Sequence, residues 1–301
     1  MRVTQLFDTV RGIRAAVVRA AQHSTAARPV VGIVPTMGAL HSGHAALLES
    51  ARRSSDVLIA SVFVNPLQFD DPTDYQLYPR QLEVDLQMLA EHDADFVFAP
   101  GLQEMYPGYP EGPLVRVSAG ELGRRWEGAS RPGHFDGVAT VVTKLFTILS
   151  PPAPAECEAW FGQKDAEQLA VIRRLVTDLN LPVRIRSLPS VRDENGVALS
   201  SRNLRLSESD YDAARSLSRA LFTLKARAET GGPLDLPGLR TQLQSSERID
   251  LDYLVVVDPA TLRETAQGVL KQPALALIAA RVGPVRLIDT MDLRPAVPPT
   301  G

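Results

Sequence analysis

Apolar positions along this chain follow two alternating patterns. Continuous runs such as Val30-Val31-Gly32-Ile33-Val34 and Val57-Leu58-Ile59-Ala60-Ser61-Val62-Phe63-Val64 read as strands covered on both faces. Between them, apolar residues return every three or four positions, the period of an amphipathic helix. Residues 1–28 are expected to form a helix with Leu6, Val10, Ile13 and Val17 on one face, ending in a polar loop at 22–28. Further helices are expected at 45–54, 82–91 and 137–149, and one from Asp165 with Leu169, Ile172, Leu175, Val176 and Leu179 as its stripe. Short strands are expected at 95–100, ending at 160–162, and at 183–186, with an edge strand at 115–117. Residues 70–78 read as a polar loop, and 101–112, rich in Gly, Pro and Tyr, as a surface loop. Strands alternating with helices imply an α/β fold built on a doubly wound parallel sheet. Beyond it, helices at 207–229 and 236–245 and strands at 252–257, 274–280 and 285–288 imply a smaller C-terminal α+β domain. The domains are placed at 1–187 and 188–301, with a disordered tail from about Arg294, where apolar content is too low to order the chain.

Composition narrows the class. A chain of 301 residues with 45% hydrophobic content holds one large or two moderate cores. A formal charge of −3, with no dense basic stripe and no apolar run long enough to span a bilayer, points away from nucleic acid and membrane partners. The one cysteine, Cys157, has no partner for an intramolecular disulfide, and no signal peptide opens the sequence, so a reducing cytoplasm is the expected compartment. Its neighbours Glu156 and Glu158 disfavour a thiolate, which makes Cys157 incidental to the chemistry.

The chemistry gathers where the first strand meets the next helix. Pro35-Thr36-Met37-Gly38-Ala39-Leu40-His41-Ser42-Gly43-His44 reads as strand end, tight loop and helix start, where exposed amides favour an anion. His41 and His44 stand one helical turn apart, so both imidazoles would reach one point, which suits a phosphate. A catalytic zinc would need a third ligand, and no Cys cluster or His-Glu-x-x-His pattern supplies one. No Gly-Lys-Ser/Thr ends the loop, so it is not a Walker A loop.

This run resembles the His-x-Gly-His signature of a nucleotidyltransferase superfamily with a Rossmann-like fold, and its longer context is similar to the pantoate-β-alanine ligase family. Supporting segments occur in that family's order: Phe63-Val64-Asn65-Pro66-Leu67-Gln68-Phe69, Tyr78-Pro79-Arg80, Arg131-Pro132-Gly133-His134-Phe135-Asp136-Gly137-Val138, Phe161-Gly162-Gln163-Lys164-Asp165 with Gln168, and Ser200-Ser201-Arg202-Asn203. The resemblance implies ligation in two steps. Pantoate attacks the α-phosphate of ATP to give pantoyl adenylate, and β-alanine then displaces AMP. It implies His44, His41, Lys164 and Arg202 as catalytic donors. ATP would be held by Pro35, Thr36, Met37, Gly38, Ala39, Leu40, His41, Gly43 and His44. Gly162, Gln163, Lys164, Asp165, Val191, Leu199, Ser200, Ser201 and Arg202 would complete that set. Gln68, Gln168, Met37, Asn65 and Tyr78 would hold pantoate or β-alanine. A homodimer is also implied, and the C-terminal domain would act as a lid whose joint lies in residues 187–203, bending at Pro189 and Asn195-Gly196.

Several residues carry plainer readings. Asp165 and Gln168 have the spacing of a helix cap and its N3 partner, while Lys164 at a helix start opposes the helix dipole and favours a ligand role. A paired-aspartate segment credited with magnesium in some relatives reads Glu83-Val84-Asp85 here, with Met88 following. Mg²⁺ is therefore expected to arrive on the ATP phosphates and not in a protein cage. The alternatives are another small-molecule nucleotidyltransferase of the superfamily, which would retain the nucleotide on its product, and a non-catalytic nucleotide-binding module.

Overall fold

The computed structural model of the chain describes residues 3–265 and 268–296, apart from the side chains of Ser201 and Leu204. The chain divides into two compact units, Met1–Gly162 with Val171–Leu188, and Gln163–Ala170 with Pro189–Gly301. The start of the helix after Gly162 thus groups with the C-terminal unit, whereas the sequence reading placed a single boundary after residue 187.

The first unit is built on a six-stranded parallel sheet: β1 (Gln5–Phe7), β2 (Val30–Thr36), β3 (Val57–Val62), β4 (Phe96–Phe98), β5 (Glu156–Gly162) and β6 (Arg184–Leu188), in the order β1-β4-β3-β2-β5-β6. Alternation along the strands divides its apolar residues between two faces. Val34, Leu58, Ala60 and Val97 pack with Leu47, Leu48 and Leu89 from α2 (Ser42–Ser54) and α4 (Leu82–Glu91). Helix α1 (Val10–His23) packs against a later helix, His134–Leu149, which also lies against β2. Strand order reverses at β2, whose neighbours are β3 on one side and β5 on the other. The carboxyl ends of β2 and β5, at Thr36 and Gly162, therefore flank a topological switch point, where open α/β sheets bind ligands.

Five expectations are corrected. Residues 1–28 are a strand followed by a helix, because extended Thr9 caps α1 by accepting from Gly12 N–H at 3.3 Å, while Gln5–Phe7 pairs with Phe96–Phe98. The polar stretch 70–78 contains α3 (Pro72–Leu77), started by Asp71, which accepts from Thr73 N–H at 2.7 Å, and by Pro72 in the first turn. Residues 101–112 include the one-turn α5 (Leu102–Met105), and Met105 and Tyr106 are fully buried. Residues 115–117 form no strand, since Val117 N–H is taken by Thr140 Oγ1 at 3.0 Å. Two more helices complete this part of the chain, α6 (Glu127–Ser130) and α7 (His134–Leu149). After β5, a 3-10 turn Gln163–Asp165 precedes α8 (Ala166–Asp178), so Asp165 closes the turn and Leu179 lies beyond the helix, 47% exposed.

In the second unit, α9 (Glu208–Thr230) and α10 (Leu236–Gln244) pack on an antiparallel meander of β7 (Ile249–Val257), β8 (Ala274–Val282) and β9 (Val285–Leu293). Ser207 caps α9 at one end and Gly231, at φ +74°, closes the other. Leu217, Leu221 and Leu224 bury their side chains with Val256, Ile278 and Leu287. At the start of the expected disordered tail, Ala296 N–H donates to Ala228 O at 3.0 Å, and residues 297–301 lie outside the described part of the chain.

Cys157 is buried on β5, and burial first, then the Glu158 charge, pushes its thiol up to about 11, against the lowering effect of the nearby Ser150 hydroxyl. Among the described residues no helix is long and apolar enough to cross a membrane.

Candidate active site

The loop after β2 is shaped by two successive left-handed residues, Gly38 at φ +81° and Ala39 at φ +51°. A non-glycine residue pays for that conformation unless its surroundings enforce it. Here the buried carboxylate of Asp85 on α4 enforces it, accepting from Ala39 N–H at 3.0 Å through one oxygen and from Leu40 N–H at 2.8 Å through the other. A Cβ on residue 38 would sit 2.8 Å from Asp85 Oδ2, so the close approach requires glycine. The other arm of the loop is closed by Thr36, whose hydroxyl donates to Ser61 O at 2.7 Å and accepts from Gly38 N–H at 3.2 Å.

That loop delivers the chain to the N-terminus of α2. His41 is the N-cap, and its Nδ1 accepts from Gly43 N–H at 3.1 Å. His44, one turn on, accepts His41 N–H on its own Nδ1 at 3.3 Å. The two rings lie 4.2 Å apart and tilted by 50°. A backbone N–H can be accepted only by an unprotonated ring nitrogen, so both imidazoles carry their proton on Nε2. The first turn contains no acidic residue, which leaves the positive end of the helix uncancelled.

Beyond β3, Asn65 and Gln68 are buried at the 3-10 turn Pro66–Gln68. The Gln68 carbonyl receives two donors from the 131–138 segment, Arg131 Nη2 at 3.0 Å and His134 Nδ1 at 2.9 Å. Gly137 allows α7 to reach this turn, since a Cβ there would meet Leu67 O at 2.1 Å. Tyr78 stacks edge-on against Phe69, the residue after Gln68, with centroids 5.6 Å apart.

The second unit assembles another set. Ser200 caps the 3-10 turn Ser201–Arg205, accepting from Arg202 N–H at 3.3 Å, and the Arg202 side chain is exposed. Lys164, Ser200 and Arg202 line one pocket together with Arg286 and Asp289 of β9. Lys164 faces Asp165 at 3.9 Å, and Arg286 is paired with Asp252 at 2.7 Å. Thr290 holds the approach to Lys164 by donating to Gln163 O at 2.7 Å. Val191 and Leu199 face each other across a short hairpin, with Leu199 N–H bonded to Val191 O at 2.9 Å. Gln168 is half-buried in the first turn of α8, and Gly162 ends β5 in the first unit. The candidate residues therefore fall into two clusters, one in each unit.

Sequence reasoning missed three parts of this arrangement. Asp85 was noticed only within the Glu83-Val84-Asp85 segment that some relatives use for magnesium, not as the anchor of the histidine loop, and its loop partners are 45 and 46 residues away. The 131–138 segment was legible as a motif but not as the clamp on Gln68. The buried pair Arg192–Asp289, at 2.6 Å, anchors the hairpin to β9, and nothing local marks it.

The sequence model of the pantoate-β-alanine ligase family matches residues 5–292. The chain belongs to this family. It is 54% identical over 270 residues to a pantothenate synthetase of Corynebacterium efficiens, covering 88% of this chain and 92% of that one. Its fold matches a pantothenate synthetase structure from Thermus thermophilus with TM-score 0.85 at 43% identity, over 97% of this chain and 100% of the other. A pantoate-β-alanine ligase from Francisella tularensis, solved with beta-gamma ATP and β-alanine, matches with TM-score 0.75 at 33% identity, over 96% and 97% of the two chains.

Asp85→Ala would leave two amides of the loop without acceptors. We expect a stability loss of about 2–4 kcal/mol, the scale of orphaning two buried donors, measured by urea unfolding. Amide exchange at Ala39 and Leu40 should accelerate in the same variant. Unchanged stability and exchange would show that the loop holds its shape without the carboxylate.

Proposed function

We propose that this chain joins pantoate to β-alanine at the expense of ATP through a pantoyl-adenylate intermediate. The observation that carries the reading is the paired His41 and His44, each accepting a backbone amide on Nδ1 at a helix N-terminus on the switch point, in the same unit as the oriented Gln68. In the first step a pantoate carboxylate oxygen attacks the α-phosphorus, and the bond to the β-phosphate oxygen breaks to release pyrophosphate. In the second, the β-alanine amine attacks the acyl carbon, the carbon–oxygen bond to AMP breaks, and the amine proton leaves to solvent. Neither step needs an enzyme nucleophile, so the protein's task is to hold the reactants in line and to stabilise charge on phosphorus oxygens.

The histidine Nε2–H groups and the positive end of α2 are assigned to the phosphates, with Met37, Gly38 and Leu40 shaping the loop beneath the nucleotide. Lys164, Ser200 and Arg202 are assigned to the same phosphates from the second unit, with Ser201 beside them. Gln68, Gln168 and Tyr78 are assigned to pantoate and β-alanine, and Asn65, which is fully buried with both ends of its amide bonded within the protein, to the support of Gln68. Magnesium belongs to the substrate as MgATP. In the structure both Asp85 oxygens accept backbone amides of the histidine loop.

The second unit is proposed to act as a lid that excludes water from the adenylate. The hairpin after Pro189 is internally closed. Asp193 Oδ1 accepts from Asn195 and Val197 N–H, Arg192 bridges to Asp289, and Tyr211 donates to Asp193. These bonds support placing the Asn195-Gly196 turn within the proposed lid and its joint at residues 188–190. A homodimer is proposed as the working form, supported by Leu114 and Val115, 92% and 86% exposed on an extended segment.

Isotope labelling, hydrogen exchange and light scattering test this reading. Pyrophosphate should exchange into ATP when pantoate is present, without β-alanine, and labelled AMP should be released only when β-alanine is added. His44→Ala should remain folded and lower the exchange rate on the order of a hundredfold, the scale of losing one transition-state donor. Exchange without pantoate, or label retained on the product, would favour a different nucleotidyltransferase. Hydrogen exchange should show protection at 188–190 on adding MgATP and pantoate, and no protection there would remove the lid. Light scattering should give twice the chain mass, and a monomer of full activity would remove the dimer.

A further inference from the structure

The orientation of the Gln68 amide is set by a chain of hydrogen bonds that begins at Tyr106. The backbone N–H of Leu67, which can only donate, is accepted by Asn65 Oδ1 at 3.3 Å. The carbonyl of Gly137, which can only accept, receives Asn65 Nδ2 at 3.1 Å. These two contacts fix which end of the Asn65 amide is oxygen and which is nitrogen. The hydroxyl of Tyr106 adds a second donor to the same Asn65 oxygen at 2.9 Å. Asn65 Nδ2 then donates to Gln68 Oε1 at 2.9 Å. Gln68 Oε1 is thereby spent inside the protein, and Nε2–H2 is the end left to meet a ligand.

Tyr106 is fully buried. Its ring meets Phe63 edge-on at 5.8 Å, and Lys144 Nζ lies 5.7 Å from its centroid. Burial raises the phenol well above its ordinary value, so the hydroxyl keeps its proton at every working pH. Tyr106 therefore adds a second hydrogen bond to the Asn65 oxygen, and reversing the Asn65 amide would set Nδ2–H2 against the Leu67 N–H and Oδ1 against the Gly137 carbonyl. The energetic penalty of such a reversal is what keeps Gln68 in one orientation.

We propose that Tyr106 is a positioning residue which, through Asn65, holds Gln68 with its amide NH2 toward the substrate, so that the site selects an acceptor oxygen, the carboxylate or hydroxyl of the hydroxy acid. This rests on the pantoate reading of Gln68 and adds to it the reason that a neutral amide, able in principle to present either end, presents one. Tyr106 touches no substrate in this account. Its effect is confined to the acid, because the histidine loop and the phosphate-facing groups are held by Asp85 and by Thr36.

The test is a double-mutant cycle on the full-length enzyme with Tyr106→Phe, which keeps the ring and removes the hydroxyl, and Gln68→Ala. Tyr106→Phe should raise the KM for pantoate on the order of tenfold, the scale of one buried hydrogen bond, with the KM values for ATP and β-alanine within twofold of wild type. In the Gln68→Ala background the same change should have no further effect on pantoate KM, because its route to the substrate is gone. A purely structural role would move all three KM values, or would act equally in both backgrounds, and either result overturns the proposal. So does a Tyr106→Phe enzyme with unchanged pantoate KM. If Tyr106→Phe does not fold, the cycle is run with Asn65→Ala in its place, and additivity with Gln68→Ala overturns the relay. Wild-type enzyme with no pantoate-dependent turnover would instead remove the pantoate reading and this inference with it.

Discussion

A single buried carboxylate carries the geometry of the candidate site. Asp85 projects from α4 and takes the amides of Ala39 and Leu40, one on each oxygen, so the loop can turn through two left-handed residues in succession. Without an acceptor those amides would be orphaned in the interior, and Ala39 would have no compensation for its conformation. The loop in turn decides where His41 begins α2, and the cap decides the tautomer of both histidines. Shifting the helix start by one residue would rotate the imidazoles by about 100° around the axis. The direction of two Nε2–H donors thus depends on an acid more than forty residues away.

The same logic recurs around Gln68 with neutral groups. Its backbone oxygen is held by Arg131 and His134, its side-chain oxygen by Asn65, and its approach to α7 by the absence of a Cβ on Gly137. Each contact removes one freedom of the side chain: position, amide orientation or depth. A site that recognises a small flexible acid gains from this, since the ordering is done before the ligand arrives. In the second unit Arg192 and Asp289 do the corresponding work, joining the Asp193–Gly196 turn to β9 and so placing Ser200 and Arg202 on the wall that Lys164 shares.

Most of the strand and helix plan was legible because continuous apolar runs and helical periods are local signals. The strands at 30–36 and 57–62 and the helices at 82–91 and 208–230 lie within a few residues of where periodicity puts them. The errors fall where a short-range cap or a distant partner outweighs composition. Thr9 and Asp71–Pro72 start helices that polarity hides, and Tyr106 is drawn into the core from a stretch whose Gly and Pro content suggests an exposed loop. Residues 115–117 have the alternation of an edge strand, but Thr140 takes the amide that a neighbouring strand would need.

The sequence by itself determined the family, the α/β class and the residues able to handle phosphate and carboxylate, because those follow from side-chain chemistry and from motifs that survive as strings. The tertiary structure alone decided what those residues present. The protonated nitrogen of each histidine, the orientation of the Gln68 amide and the closure of the Asn195-Gly196 turn are set by hydrogen bonds between segments 18 to 97 residues apart, along with local caps. A linear pattern records which donors and acceptors exist. Their pairing is fixed only when burial removes water as the competing partner, and that happens in the folded chain.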